Sequence, residues 1–102
     1  WVRVAPISAL PPGSVTEVAG PAGRVVVVDR RGEELRAFLT APGPCPVQAA
    51  AGGGFTRPCA GHDWDATGTP AARQDEGQRP PPALSPAPIS LASGQLYVDP
   101  RN

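Results

Sequence analysis

Proline stands at positions 6, 11, 12, 21, 42, 44, 46, 58, 70, 80, 81, 82, 86, 88 and 100 of this 102-residue chain. Each proline fixes φ, removes a backbone donor and clashes with the preceding turn of an α-helix. Nearly every window long enough for a helix is therefore interrupted. The one proline-free stretch of the first half, Ala22 to Ala41, contains Val25-Val26-Val27-Val28. Such a β-branched run packs well on a pleated surface and reads as a buried strand. The chain must fold with strands and turns.

With 12 Gly beside 15 Pro, the chain is close to what reads as disordered low complexity. Against disorder, 40% of its residues are hydrophobic and only 18% are charged, so a core can form. The length suits one small domain. The formal net charge is zero, which argues against a nucleic-acid partner, because neutralising phosphates needs a basic excess. There is no Met and no Lys. All the basic residues are Arg, as in the codon usage of a GC-rich genome, and Trp1 is expected to follow a removed or unseen segment. No run approaches the roughly 18 apolar residues of a membrane span, so any anchor or signal is expected upstream of Trp1.

Turn chemistry divides the chain. Val25 to Val28 is followed by Asp29-Arg30-Arg31-Gly32 as turn residues, and Glu33 to Leu39 reads as the returning strand of a hairpin. Trp1 to Val4 and Val15 to Val18 are short strands joined through Pro11-Pro12-Gly13. Ile89 to Leu91 and Gln95 to Val98 flank a Ser93-Gly94 turn and form a second hairpin. Strands at this spacing predict a small antiparallel β-sandwich or barrel. The middle, Thr40 to Pro88, is rich in Gly, Pro and Ala and poor in strand formers. A loop region of that length is functional or tied down. Both cysteines, the only His and Trp64 lie in it.

Two segments of that middle carry a resemblance: Cys45-Pro46-Val47-Gln48-Ala49-Ala50, and Arg57-Pro58-Cys59-Ala60-Gly61-His62-Asp63-Trp64-Asp65-Ala66-Thr67-Gly68. With their flanking hairpins they resemble the Rieske iron–sulfur domain, whose [2Fe–2S] cluster lies between loops of the form C-T-H-x-G-C and C-P-C-H-G-S-x-F-D. The resemblance spans nearly the whole chain. Ala9-Leu10-Pro11-Pro12-Gly13 is similar to the family's first turn, Pro80-Pro81-Pro82 to its proline cover loop, and Gly94-Gln95-Leu96-Tyr97-Val98 to its final strand. It implies one domain over 1–102, an all-β, Rieske-type antiparallel sandwich or barrel. Residues 1–39 and 89–99 would form the base, and residues 40–88 a loop-rich subdomain inserted between the hairpins.

A Rieske centre needs two thiolates on one iron and two imidazoles on the other. Two Cys and one His cannot supply four ligands. In the ungapped register, which is preferred, the degenerate ligand positions are Cys45, Val47, Arg57 and Ala60, and Cys59 matches the family's non-ligating cysteine. A second register pairs Cys59 with His62 as C-x-x-H and needs a two-residue deletion before Trp64. Cofactor and catalytic residues are therefore expected to be absent. Because the family's two loops face each other, a Cys45–Cys59 disulfide is the leading expectation and implies an oxidising compartment. Otherwise the two are free buried thiols, and the fallback for a metal is Cys45, Cys59 and His62.

His62 lies beside Asp63 and Asp65, which invites a general-base reading, but an exposed loop histidine without a nucleophile is the plainer one. Arg57 either fills part of the vacated pocket by pairing with Asp63 or Asp65 or points to solvent. Trp64 is expected in the core; Trp1 is either core or the point where the chain leaves a membrane surface. The Pro80 to Pro88 stretch is a cover loop or, less simply, a polyproline ligand. Together these readings imply a cluster-free Rieske-like accessory subunit of a larger, membrane-associated redox complex of the quinol-oxidising type, on the extracytoplasmic side. Its partners would be other protein subunits, and the membrane would be reached only through an unseen upstream segment. Two alternatives remain: an electron carrier with an altered metal or iron–sulfur site, and an extracellular assembly protein built on the same fold.

Overall fold

A computed structural model describes residues 1–32, 34–43, 45–70 and 83–99. The strands are β1 (Val2–Pro6), β2 (Val15–Ala19), β3 (Val25–Arg31), β4 (Glu34–Thr40), β5 (Gln48–Ala49), β6 (Phe55–Arg57), β7 (His62–Trp64), β8 (Ser85–Ala87), β9 (Ile89–Ala92) and β10 (Gln95–Val98). They form three antiparallel sheets, ordered β1-β10-β9, β2-β3-β4-β8 and β5-β6-β7, with no α-helix among the described residues. The architecture is all-β, as expected, but no sheet closes into a barrel.

The valine run explains why three sheets stack. Successive strand residues face opposite sides, so four apolar residues in a row have work for both faces. Val26 and Val28 pack with Ala37, Leu39, Leu96 and Val98 toward the β1-β10-β9 sheet. Val27 packs with Phe38, Phe55 and Trp64 toward the β5-β6-β7 sheet. The sheet holding β3 is thus the central layer. The ring pair Phe38–Phe55, edge-on with centroids 5.2 Å apart, joins two of the layers.

Several boundaries differ from the expectation. Asp29, Arg30 and Arg31 do not turn; they extend β3, opposite Arg36, Leu35 and Glu34. The buried Asp29 carboxylate holds that extension, accepting hydrogen bonds from Arg31 at 3.0 Å and Arg36 at 2.6 Å. The strands of Trp1–Val4 and Val15–Val18 correspond to β1 and β2, which belong to different sheets. Arg30 fixes the crossing between them by donating to the Leu10 carbonyl at 2.6 Å. The last hairpin, β9–β10, turns through Ser93 and Gly94, both with positive φ, as a tight primed turn requires. Trp1 is 67% exposed and is not in the core.

The middle of the chain is less loop-like than its composition implies. It supplies the whole third sheet, and β8, which joins the central one. Low β-propensity is overridden there by packing against Val27 and Phe38. The proposed cover loop, Pro80-Pro81-Pro82, lies outside the described residues, whereas Pro86 is in β8 and Pro88 lies between β8 and β9.

Candidate functional site

The β6–β7 hairpin places the residues that the motifs singled out. Phe55 pairs with Trp64, Thr56 with Asp63 and Arg57 with His62. Phe55 is buried against the central sheet, so Arg57, two residues on, also faces inward. Asp63 shares the other face with Thr56, whose hydroxyl donates to it at 2.7 Å. This parity is why Arg57 meets neither Asp63 nor Asp65. It is buried instead against Glu17 of β2, with Nη2–Oε1 at 3.0 Å. Glu17 stands opposite Val27 and therefore shares its face.

The guanidinium closes the first loop as well. Arg57 Nε donates to the Cys45 carbonyl at 3.0 Å, and Nη2 lies 3.4 Å from the Ala41 carbonyl. Glu17 Oε1 also accepts the Val47 amide at 3.2 Å. Gly43 lies so near that a Cβ there would stand 2.6 Å from the guanidinium carbon. A buried charge is tolerated when paired and hydrogen-bonded, and this one is. Val47 itself is fully buried among Phe55, Trp64 and Leu84.

The two loops are joined covalently. Cys45 and Cys59 form a disulfide across a sequence separation of 14, with Cα atoms 6.2 Å apart, within the ordinary range for such a bond. Cys59 is on the exposed 3-10 turn Pro58–Ala60, so Ala60 neighbours the bridge in sequence. A disulfide fits an oxidising, extracytoplasmic environment. Among the described residues no helix is long and apolar enough to cross a membrane.

His62 is not on an exposed loop but on β7, partly buried, its ring edge-on to Trp64 with centroids 6.0 Å apart. Its Nδ1 is buried without a hydrogen-bond partner among the described residues. Trp64 is in the core. Asp65 closes the following turn: its Oδ1 accepts the Thr67 amide at 2.9 Å and the Thr69 amide at 3.1 Å. The Thr67 hydroxyl bond, then the Thr67 amide, hold this exposed carboxyl below the ordinary carboxylate range.

Iron–sulfur chemistry can be tested against this donor set. A Rieske centre needs two thiolates and two imidazoles. Here both sulfurs are joined to each other and the chain has one histidine, so the residues do not fit the cluster. Nor do the described residues gather three His, Cys, Asp or Glu side chains around one point. The arrangement can fasten two loops to the central sheet. Sequence reasoning missed Glu17, although a carboxylate two residues from Val15 on an apolar strand was a readable signal. No protein-family model matches the chain, and a search of curated proteins finds no match.

Proposed function

We propose that the chain is a cluster-free Rieske-like domain acting as a structural or accessory subunit of a larger, membrane-associated redox assembly on the extracytoplasmic side. The observation that carries this reading is Arg57. It lies at a position the resemblance assigns to a cluster ligand, yet its guanidinium is buried against Glu17 and the first loop. An ion pair and a disulfide do the fastening that metal coordination would do elsewhere. The loops keep their placement without offering redox chemistry, which suits a domain whose work is to be docked against.

The disulfide also favours a particular register. The motif C-T-H-x-G-C has one cysteine beyond its ligand pair. If Cys59 is the non-ligating cysteine of the second loop, its bonded partner Cys45 is the closing cysteine of the first. The first-loop ligand positions then move from Cys45 and Val47 to Thr40 and Pro42. Thr40 is buried and its hydroxyl has no hydrogen-bond partner among the described residues, an uncommon state for a polar group. It is in keeping with a position shaped for another side chain. The Ala41 and Cys45 carbonyls against Arg57 put the same loop around the guanidinium.

The test is isolation of the native protein from membranes without reductant. The expected result is a multi-subunit fraction in which this chain carries neither iron nor acid-labile sulfide. Stoichiometric iron and sulfide on this chain, with a visible spectrum, would overturn the reading in favour of an altered electron carrier.

A further inference from the structure

Strand β4 runs over Glu34–Thr40, but β8 pairs only with Ala37, Phe38 and Leu39. Glu34, Leu35 and Arg36 pair with β3 on one side. On the other side no strand among the described residues reaches them. The edge is open because the chain leaves the central sheet after Ala87 and enters β9 of the neighbouring sheet at Ile89. A groove of about 400 Å³ lies there, lined by Leu35, Phe38, Pro86, Pro88 and Ile89, with Arg36 and Thr67 as its polar walls. Alternate residues of an antiparallel strand turn their backbone groups to each side, so this short edge offers a free donor and acceptor beside apolar surface, a template for another strand.

The side chains on that edge are complementary to themselves. Antiparallel pairing of two copies about a two-fold axis at Leu35 sets Glu34 of each opposite Arg36 of the other, with the two Leu35 residues face to face. Registers centred on Glu34 or on Arg36 bring like charges together instead. Glu34 is exposed and makes no ion pair among the described residues. Its neighbour across the hairpin, Arg31, donates to Asp29 and to the Gly53 carbonyl rather than to it. Opposite charges directly across an antiparallel pair stabilise it and like charges oppose it. An isologous interface repeats each such contact twice.

We propose that this chain forms a two-fold dimer by antiparallel addition of β4 to β4 across Glu34–Arg36, with the β4–β8 groove closed by the second copy. This proposal stands apart from the accessory-subunit reading and concerns the opposite end of the β3–β4 hairpin from the Arg57 cluster. Only three residues of strand are open on each copy, so the association is weak and favoured by low salt.

Sedimentation equilibrium of the full chain, at rising concentration and low salt, tests it. The expected behaviour is a monomer–dimer equilibrium whose dissociation constant rises about tenfold in Glu34→Arg, where two attractive cross-strand pairs become repulsive. Arg36→Glu alone has the same effect. An equimolar mixture of the two variants recovers wild-type association, because the heterodimer alone restores both opposite-charge pairs. Since Arg36 also binds Asp29, near-ultraviolet circular dichroism checks its fold. Leu35→Lys, which keeps the Asp29 cluster, weakens the dimer independently. A chain that stays monomeric throughout, a dimer indifferent to Glu34→Arg and Leu35→Lys, or a mixture of folded variants no tighter than either alone would each overturn the proposal.

Discussion

The two faces of the central sheet are covered by different means. Toward β1-β10-β9 the cover is apolar, Val26, Val28, Leu39, Leu96 and Val98, under strands of four and five residues. Toward β5-β6-β7 the strands have only two or three residues. There the apolar contacts of Phe55, Trp64 and Val47 are joined by a disulfide and an ion pair whose guanidinium is buried. Short strands form few ladder hydrogen bonds and cannot hold a layer alone. The face poorest in regular structure carries the covalent and ionic fasteners.

The largest effect should come from the apolar part of that second face. Phe55→Ala removes a fully buried ring in contact with Phe38 and is expected to destabilise the fold by about 4 kcal/mol in urea unfolding. A loss below about 1 kcal/mol would mean that the third sheet is merely appended, and the comparison between faces would fail.

Next comes the ion pair. Arg57→Ala leaves the partly buried Glu17 without its cation and is expected to cost about 3 kcal/mol. The double variant Glu17→Leu/Arg57→Leu should recover most of that loss, because exchanging both partners for apolar groups removes the unpaired charge. Failure of the double variant to recover would show that the bonds from Arg57 to the Cys45 and Ala41 carbonyls matter more than the pairing.

The disulfide separates the faces most directly. Closing a loop of this size contributes about 3 kcal/mol by chain-entropy reasoning. With Cys45→Ser/Cys59→Ser, amide exchange should quicken first in β5, β6 and β7, while β1, β9 and β10 retain protection. Uniform loss of protection would make the molecule one cooperative unit.

The same asymmetry governed what could be read from sequence. Val25 to Val28 announced a buried strand, and the Ser93-Gly94 turn announced its hairpin, because each signal is local. The third sheet was not legible: Gln48–Ala49 and His62–Trp64 have weak strand propensity and gain their form from contacts with distant residues. Arg57 stood out in the sequence, but its partner did not. Asp63 and Asp65 are the carboxylates nearest in sequence, whereas pleat parity turns Arg57 toward Glu17, 40 residues away. The turn expected at Asp29-Arg30 failed for a related reason, since paired charges let polar residues continue a strand.

The smallest effect concerns Asp65, whose carboxylate holds the turn after β7 at an exposed position. Its carboxyl lies below the ordinary range chiefly because the Thr67 hydroxyl and amide bind the charged form. A depressed folded-state value means the unfolded chain takes up the proton first as pH falls. Asp65 therefore stabilises the fold fully above the unfolded carboxylate range and loses that contribution as pH drops through its own lower value. Asp65→Ala should consequently be less stable than wild type at neutral pH, with the gap narrowing on acidification. Urea midpoints measured from neutral to strongly acidic pH check this. A gap independent of pH would assign the turn to its backbone bonds, Gly68 to Asp65 and Asp65 to Thr69, and not to the carboxylate. The third sheet would then be anchored beyond β7 by main-chain geometry.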